Sequence, residues 1–364
     1  MERKQPSLPY LPALDGLRGV AVLLVLWAHS PLVFQPYWLQ QLRYFVQPNY
    51  LGVDVFFVLS GFLITRILLH SKARGDSLAR FYWRRSLRIF PIYFLLIAAL
   101  VFAEPGWYLL WSAAYLLNLR IASGDAPSPL AHTWSLCVEE HYYLVWPCVV
   151  YFTARPLRML LYVAIPLSLV SAGAVHYLCG PECHVQLRTI TTCRVLSLSL
   201  GGLLAFYEAR LTYRLTKQLG SVLLLGLAVA PIVKLAAPDF LALGKFFGFS
   251  LASTGIVLVC MFSTSRLLNA AWLRYVGRIS YGLYLYHYPI FYFLWPTSPP
   301  ETAAVSFGEY LLALAVTFGV AALSWRFFES PLLRLKDRSI DWPVLQKQPQ
   351  AANCGDWEGR RTGG

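Results

Sequence analysis

The chain reads as an all-α, polytopic membrane bundle of about ten transmembrane helices plus one short re-entrant or interfacial helix. Three observations predict this. Apolar types supply 57% of the 364 residues and charged types only 13%, with a mean hydropathy of +0.52, whereas a soluble chain carries about a quarter charged residues. Apolar stretches near the ~20 residues needed to cross a bilayer recur along the whole length. The basic residues crowd into alternate connections, as they do in cytoplasmic loops. That distribution explains the net charge of +13 without nucleic acid, which is not expected as a partner.

The first apolar segment, Leu17 to Phe34, lies in LDGLRGVAVLLVLWAHS and carries Arg18 and His29. Their spacing of eleven residues is three helical turns with about 20° left over and about 16 Å of rise, so both lie on one face. Arg18 is then expected near a bilayer surface and His29 near the hydrocarbon centre, where an ionisable group marks a functional site by default. No small-x-small cleavage site is evident, so the segment is expected to be a retained span. The second segment, Leu51 to Leu69, is interrupted by Asp54 and Ser60, and a carboxylate there must face protein or water. Before the third, Ile89 to Ala103, comes the loop KARGDSLARFYWRRSLRIFP, with Arg84, Arg85 and Arg88 on or beside one helical face. It reads either as a topological anchor with an aromatic belt or as an arginine clamp for a phosphate-bearing donor.

Ahead of the fourth segment, Tyr142 to Phe152, the stretch AHTWSLCVEEHYYLVWP places His132, Trp134, Glu139 and Glu140 together. Adjacent glutamates point about 100° apart on a helix, so one should face inward and one outward. Met159 to Leu178, Val195 to Tyr207, Leu219 to Ala237 and Phe246 to Phe262 are the next four. The ninth, Ile279 to Trp295, contains GRISYGLYLYHYPI, with Tyr281, Tyr284 and His287 at three-residue spacing and Tyr288 four after Tyr284. This is either interfacial tyrosine packing or a cluster with His287 as its titratable centre. The tenth, Phe307 to Phe328, ends in SWRFFESPLLRL, where Arg326 and Glu329 at i, i+3 are expected to pair.

An eleventh stretch, Trp107 to Leu119, has too few residues to span, is rich in aromatics and follows Pro105-Gly106; it is expected to be an interfacial or re-entrant helix. Charge arbitrates. With that stretch not crossing and both termini cytoplasmic, the large majority of the 31 Lys and Arg residues fall on the cytoplasmic side, and otherwise they divide almost evenly. This topology gathers Cys179, Cys183 and Cys193 in an external loop, where disulfides are permitted. A bridged pair, metal binding with His184 and unpaired thiols all remain open, and no metal cluster is expected. Residues 1 to 336 form the membrane domain, and 337 to 364, polar and without apolar periodicity, a disordered cytoplasmic tail. No internal repeat of the kind many transporters carry is evident.

Taken in order, LDGLRGVAVLLVLWAHS, GVDVFFVLSGFLI, FYWRRSLRIFP, HTWSLCVEEHYYLVWP, SYGLYLYHYP and WRFFESP resemble the blocks of the acyltransferase-3 family of integral membrane acyltransferases, from about residue 11 to 335. The resemblance implies O-acylation, commonly of surface or exported carbohydrate such as O-antigen or exopolysaccharide, in the bacterial inner membrane. It implies acetyl-CoA, or another acyl-CoA, as a donor substrate with no tightly bound cofactor, and a carbohydrate or lipid-linked oligosaccharide as acceptor. Members with a further carboxy-terminal hydrolase-like domain are longer than this chain.

By position, the resemblance makes His29 the essential first-span histidine, Arg18 the arginine of the opening block, and Arg84 and Arg88, with Arg85, the basic group that meets the acyl-CoA. Glu329 becomes the carboxylate ending the last span, and Glu140 a further catalytic candidate. Asp54, Ser60, His132, Trp134, Tyr284 and His287 are the expected acceptor or supporting polar groups. The chemistry agrees, since a sugar hydroxyl is a weak nucleophile and a neutral imidazole can take its proton as it attacks a thioester. The rival readings are a proton-coupled transporter with His29, Asp54 and His287 as a relay, and a structural component of a polysaccharide export complex.

Overall fold

The first helix, α1 (Pro12–Ala28), opens with a proline in its first turn and Asp15 close behind it. Proline there loses no helical hydrogen bond, and the carboxylate meets the positive end of the helix dipole. The computed structural model describes residues 8–30, 36–124, 128–295 and 305–335. The expected tail with Cys354, and residues 31–34 of the first predicted span, lie outside these. α1 stops earlier than the hydropathy suggests, and His29 is its C-terminal cap residue rather than a mid-helix residue. Two causes act there. Ser30 precedes a proline, which disfavours helical backbone, and Arg43 of α2 (Tyr37–Val46) donates to the carbonyls of Ala28 and Ser30, satisfying the helix end.

Gln47, at φ +45°, turns the chain from α2 into α3 (Pro48–Ala73). α4 (Leu78–Ala103) is capped by Ser77, whose side chain accepts from the Arg80 amide, and it continues through Pro91. The Trp107 to Leu119 stretch is not one interfacial helix. It forms α5 (Tyr108–Ala113) and α6 (Leu117–Ala122), broken at Tyr115, which has φ +55°. The Leu116 amide bonds the Trp111 carbonyl and the Tyr115 amide the Ser112 carbonyl, the paired bonds that end a helix with a left-handed residue.

α7 (Trp134–Phe152) follows. α8 (Pro156–Met159) then passes through a π-turn, Leu160–Ala164, into α9 (Ile165–Cys179). Short α10 (His184–Thr189) leads to α11 (Thr191–Tyr207). α12 (Tyr213–Leu224), α13 (Gly226–Ala236) and α14 (Leu241–Met261) come next, then α15 (Ala271–Arg278) and α16 (Ser280–Leu294). α17 (Phe307–Ser324) runs through a second π-turn, Trp325–Glu329, into α18 (Ser330–Arg334). The described residues contain no strand.

Within the described residues the ten predicted apolar segments fall on these helices, Met159 to Leu178 being shared by α8 and α9 and Leu219 to Ala237 by α12 and α13, while α2, α10 and α15 were not foreseen. Among the described residues, six continuous helices are long and apolar enough to cross a membrane: Pro48–Ala73, Leu78–Ala103, Pro156–Cys179, Tyr213–Ala236, Pro238–Met261 and Phe307–Arg334. α1, α7, α11 and α16 fall short of that mark, and three of them carry buried polar side chains, among them Ser135 on α7, Arg194 and Ser197 on α11 and His287 on α16. α3 is the hub: 78% of its apolar window is buried, against 17% for Tyr213–Ala236, and it packs on α1, α7, α11 and α14. Contact with α11 is backbone to backbone, because a Cβ at Gly61 would stand 1.9 Å from the Leu198 carbonyl oxygen and one at Gly201 2.0 Å from that of Val58.

Candidate active site

α3 and α4 diverge to leave a basic mouth of about 300 Å³ lined by His70, Arg74, Arg80, Arg84, Arg85 and Arg88. Asp76 answers part of this charge, standing 3.2 Å from Arg80 and 3.9 Å from Arg74. Arg85 and Arg88 also line a narrower central cavity of about 90 Å³, walled by Arg18, Phe56, Phe57, Ser60, Ser135, Glu139, Ser280, Tyr281 and Tyr284. α1, α3, α4, α7 and α16 therefore all supply its wall. Ser60 Oγ donates to Glu139 Oε1 at 2.6 Å. Arg85 lies 3.9 Å from Glu139, 4.0 Å from Glu140 and 3.7 Å above the Tyr143 ring. Tyr281 ties α16 to α4 by donating to the Ile89 carbonyl at 3.1 Å.

Tyr284 closes the far end of this cavity. Its hydroxyl donates to the His132 carbonyl at 2.6 Å and meets Ser135 Oγ at 2.6 Å. Behind it, His132, His287 and His29 gather around Tyr288. Ring centroids are 5.1 Å apart for His132 and His287, 5.0 Å for His29 and His287, and 5.1 Å for His132 stacked on Tyr288. The hydrogen bonds assign the tautomers. His287 Nδ1 lies 2.7 Å from the Tyr284 carbonyl, which only accepts, so the proton is on Nδ1 and Nε2 is the acceptor. That Nε2 is 3.3 Å from His29 Nδ1, which also lies 3.0 Å from the Val25 carbonyl. His29 Nδ1 thus carries the proton and Nε2 is its basic nitrogen. A third cavity of about 180 Å³ opens on the other side of this cluster, lined by His29, His132, Trp134, Arg188, Thr189 and Tyr288.

The remaining predicted site residues lie elsewhere. Glu140 faces a separate pocket with Tyr82, Tyr115, His141 and Tyr143, so Glu139 is the inward glutamate. Arg84 lines the basic mouth but not the central cavity. Asp54 is fully buried in an ion pair with Arg194 of α11 and accepts from Ser197 Oγ at 2.8 Å, and it lines neither the central cavity nor the histidine pocket. Glu329 is buried and accepts from Ser324 Oγ at 3.1 Å, whereas Arg326 is exposed and packs over Phe327. Their expected i, i+3 pairing is not made, because the π-turn shifts the register on which that spacing rests. Cys179 is exposed, Cys183 and Cys193 are buried, and all three are free thiols.

Sequence reasoning did not single out Glu139 over Glu140, Ser135, or Arg188. The first two share an i, i+4 face of α7, a signal present in the sequence. Arg188 carries no local signal, since its partners come from distant segments.

The family model described as acyltransferase domain matches residues 11–326. O-acetyltransferase OatA of Staphylococcus aureus (strain NCTC 8325 / PS 47) is 29% identical, over 90% of this chain and 58% of the relative. Peptidoglycan O-acetyltransferase OatA of Listeria monocytogenes serovar 1/2a is 28% identical, over 90% of this chain and 56% of the relative. The chain thus spans a little over half the length of these relatives. No solved structure matches it. With a match that covers nearly all the described helices and takes in the arginine mouth, the central cavity and the histidine cluster, this chain belongs to the acyltransferase-3 family.

Proposed function

We propose that the protein is a membrane O-acetyltransferase that takes acetyl from acetyl-CoA at the arginine mouth and passes it to a glycan hydroxyl in the histidine pocket. The observation that carries this reading is the shared wall. Arg85 and Arg88 border both the mouth and the central cavity, and that cavity ends on Tyr284, which packs against His132 and His287. Guanidinium groups suit the phosphates of a nucleotide donor, and the slender cavity beyond them suits an extended thioester arm. His29 Nε2 takes the acceptor hydroxyl's proton while the oxygen attacks the thioester carbonyl. The tetrahedral intermediate collapses by breaking the C–S bond, and the departing thiolate receives that proton from the imidazolium.

The orientation that suits this chemistry has ten crossings of a bacterial inner membrane, both termini and the mouth in the cytoplasm, and the histidine pocket facing outward. The activity for which the Listeria relative is named favours peptidoglycan over exopolysaccharide or O-antigen as the acceptor class. The test is transfer of radiolabelled acetyl from acetyl-CoA to glycan by protein in liposomes. His29→Gln keeps most of the side-chain volume and is expected to insert normally yet lose transfer by about 10²-fold, the usual contribution of a positioned base. Near-normal transfer at normal protein level overturns the assignment.

A further inference from the structure

The histidine pocket holds a charge that proton abstraction does not need. We infer that Arg188 makes this pocket selective for a carboxylate-bearing sugar, with the carboxylate on the same residue as the hydroxyl to be acetylated; this rests on the acetyltransfer reading above. Arg188 projects from α10, and its guanidinium lies 5.0 Å from the Tyr50 ring centroid and 5.4 Å from that of Trp134. Among the described residues no ion pair engages it. The two aromatic rings flank the guanidinium, and beyond its contact with the Tyr50 side chain its remaining N–H groups suit a two-oxygen acceptor.

The surroundings deepen the preference. Lys245 stands over the same Tyr50 ring at 5.9 Å. The acids that might neutralise this field are engaged or remote: Asp54 is paired with Arg194, and Glu182 is 93% exposed and leans on His184 at 4.0 Å. Trp134 supplies an apolar face for the sugar ring. A neutral sugar satisfies Trp134 but leaves Arg188 unanswered. An acidic sugar satisfies both within one cavity of about 180 Å³.

The experiment compares two acceptors with the purified full chain in liposomes: a hexosamine oligosaccharide carrying a carboxylate, and its uncharged methyl ester. The acid is expected to show a KM about tenfold or more below that of the ester, as a charge-assisted contact implies. Arg188→Gln should erase the difference by raising the KM for the acid alone, with the KM values for ester and acetyl-CoA unchanged, and Arg188→Lys should restore part of it. Equal KM values for acid and ester in the wild-type protein, or a preference that survives Arg188→Gln, overturn the inference while transfer itself stands. Should Arg188→Gln fold poorly, the wild-type ratio and the Lys variant decide. Transfer to neither acceptor overturns the acetyltransfer reading and this one with it.

Discussion

Arg194 is among the largest fully buried side chains, and its pairing with Asp54 shows how a polar residue in an apolar segment can be structural. The pair is imperfectly satisfied, since Asp54 Oδ2 and Arg194 Nε and Nη1 lack partners, and the guanidinium is instead packed between Phe57 and Phe246. Removing one member strands a buried charge, which costs about 3–5 kcal/mol, whereas replacing both by apolar groups is often neutral. Asp54→Ala should therefore lower the thermal midpoint in detergent sharply, and Asp54→Ala with Arg194→Leu should recover most of it and keep transfer. A double variant that is stable yet inactive would return Asp54 to the machinery, as a proton relay requires. Asp54, Arg18 and His29 were all visible in the sequence as ionisable groups in apolar runs. Which of them meet was not, because the meeting depends on helix rotation: Asp54 turns towards α11, while Arg18 and His29 turn towards the cavities.

At the level of helices, hydropathy located every long element, but it missed the short ones and misjudged ends. α1 ends on a cap supplied by Arg43, fourteen residues beyond His29 in the chain, and the Tyr115 break is stabilised by stacking on Tyr93 at 4.7 Å; neither is encoded where it acts. Helix pairing is likewise set by residues that look unremarkable in sequence. α3 and α11 touch through Gly61 and Gly201, small residues that let backbones approach as in other membrane bundles. Gly201→Ala places a Cβ 2.0 Å from the Val58 carbonyl and must push the helices apart, so it should cost about 1–3 kcal/mol, the usual range for overpacking. Gly319→Ala, on α17, meets nothing within 4 Å and should raise stability by up to about 1 kcal/mol through helix propensity. Thermal midpoints of the two variants in the same detergent are expected to move in opposite directions. A neutral Gly201→Ala would mean that the α3–α11 contact is looser than its backbone geometry implies.

For the whole molecule, the proposed transfer requires the arginine mouth and the histidine pocket to open to opposite sides of the membrane, so that a cytoplasmic donor and an external acceptor meet across Tyr284. The helix formed by α8 and α9, Pro156–Cys179, offers a direct test because it is long and apolar enough to cross and exposed residues stand near each end. Arg158 lies near its start and Glu182 just beyond its end, 93% exposed. Arg158→Cys and Glu182→Cys are introduced separately with Cys179, the exposed native cysteine, replaced by serine. Intact cells, with any outer envelope made leaky, are treated with a membrane-impermeant maleimide, and each variant is read against the parent. Glu182→Cys should label at once, and Arg158→Cys only after the inner membrane is opened, since the basic flank of a span stays in the cytoplasm. The reverse pattern would invert the molecule and place the arginine mouth outside, away from cytoplasmic acetyl-CoA. Labelling of both from one side would mean that this helix does not cross, and an even count of ten would fall with it.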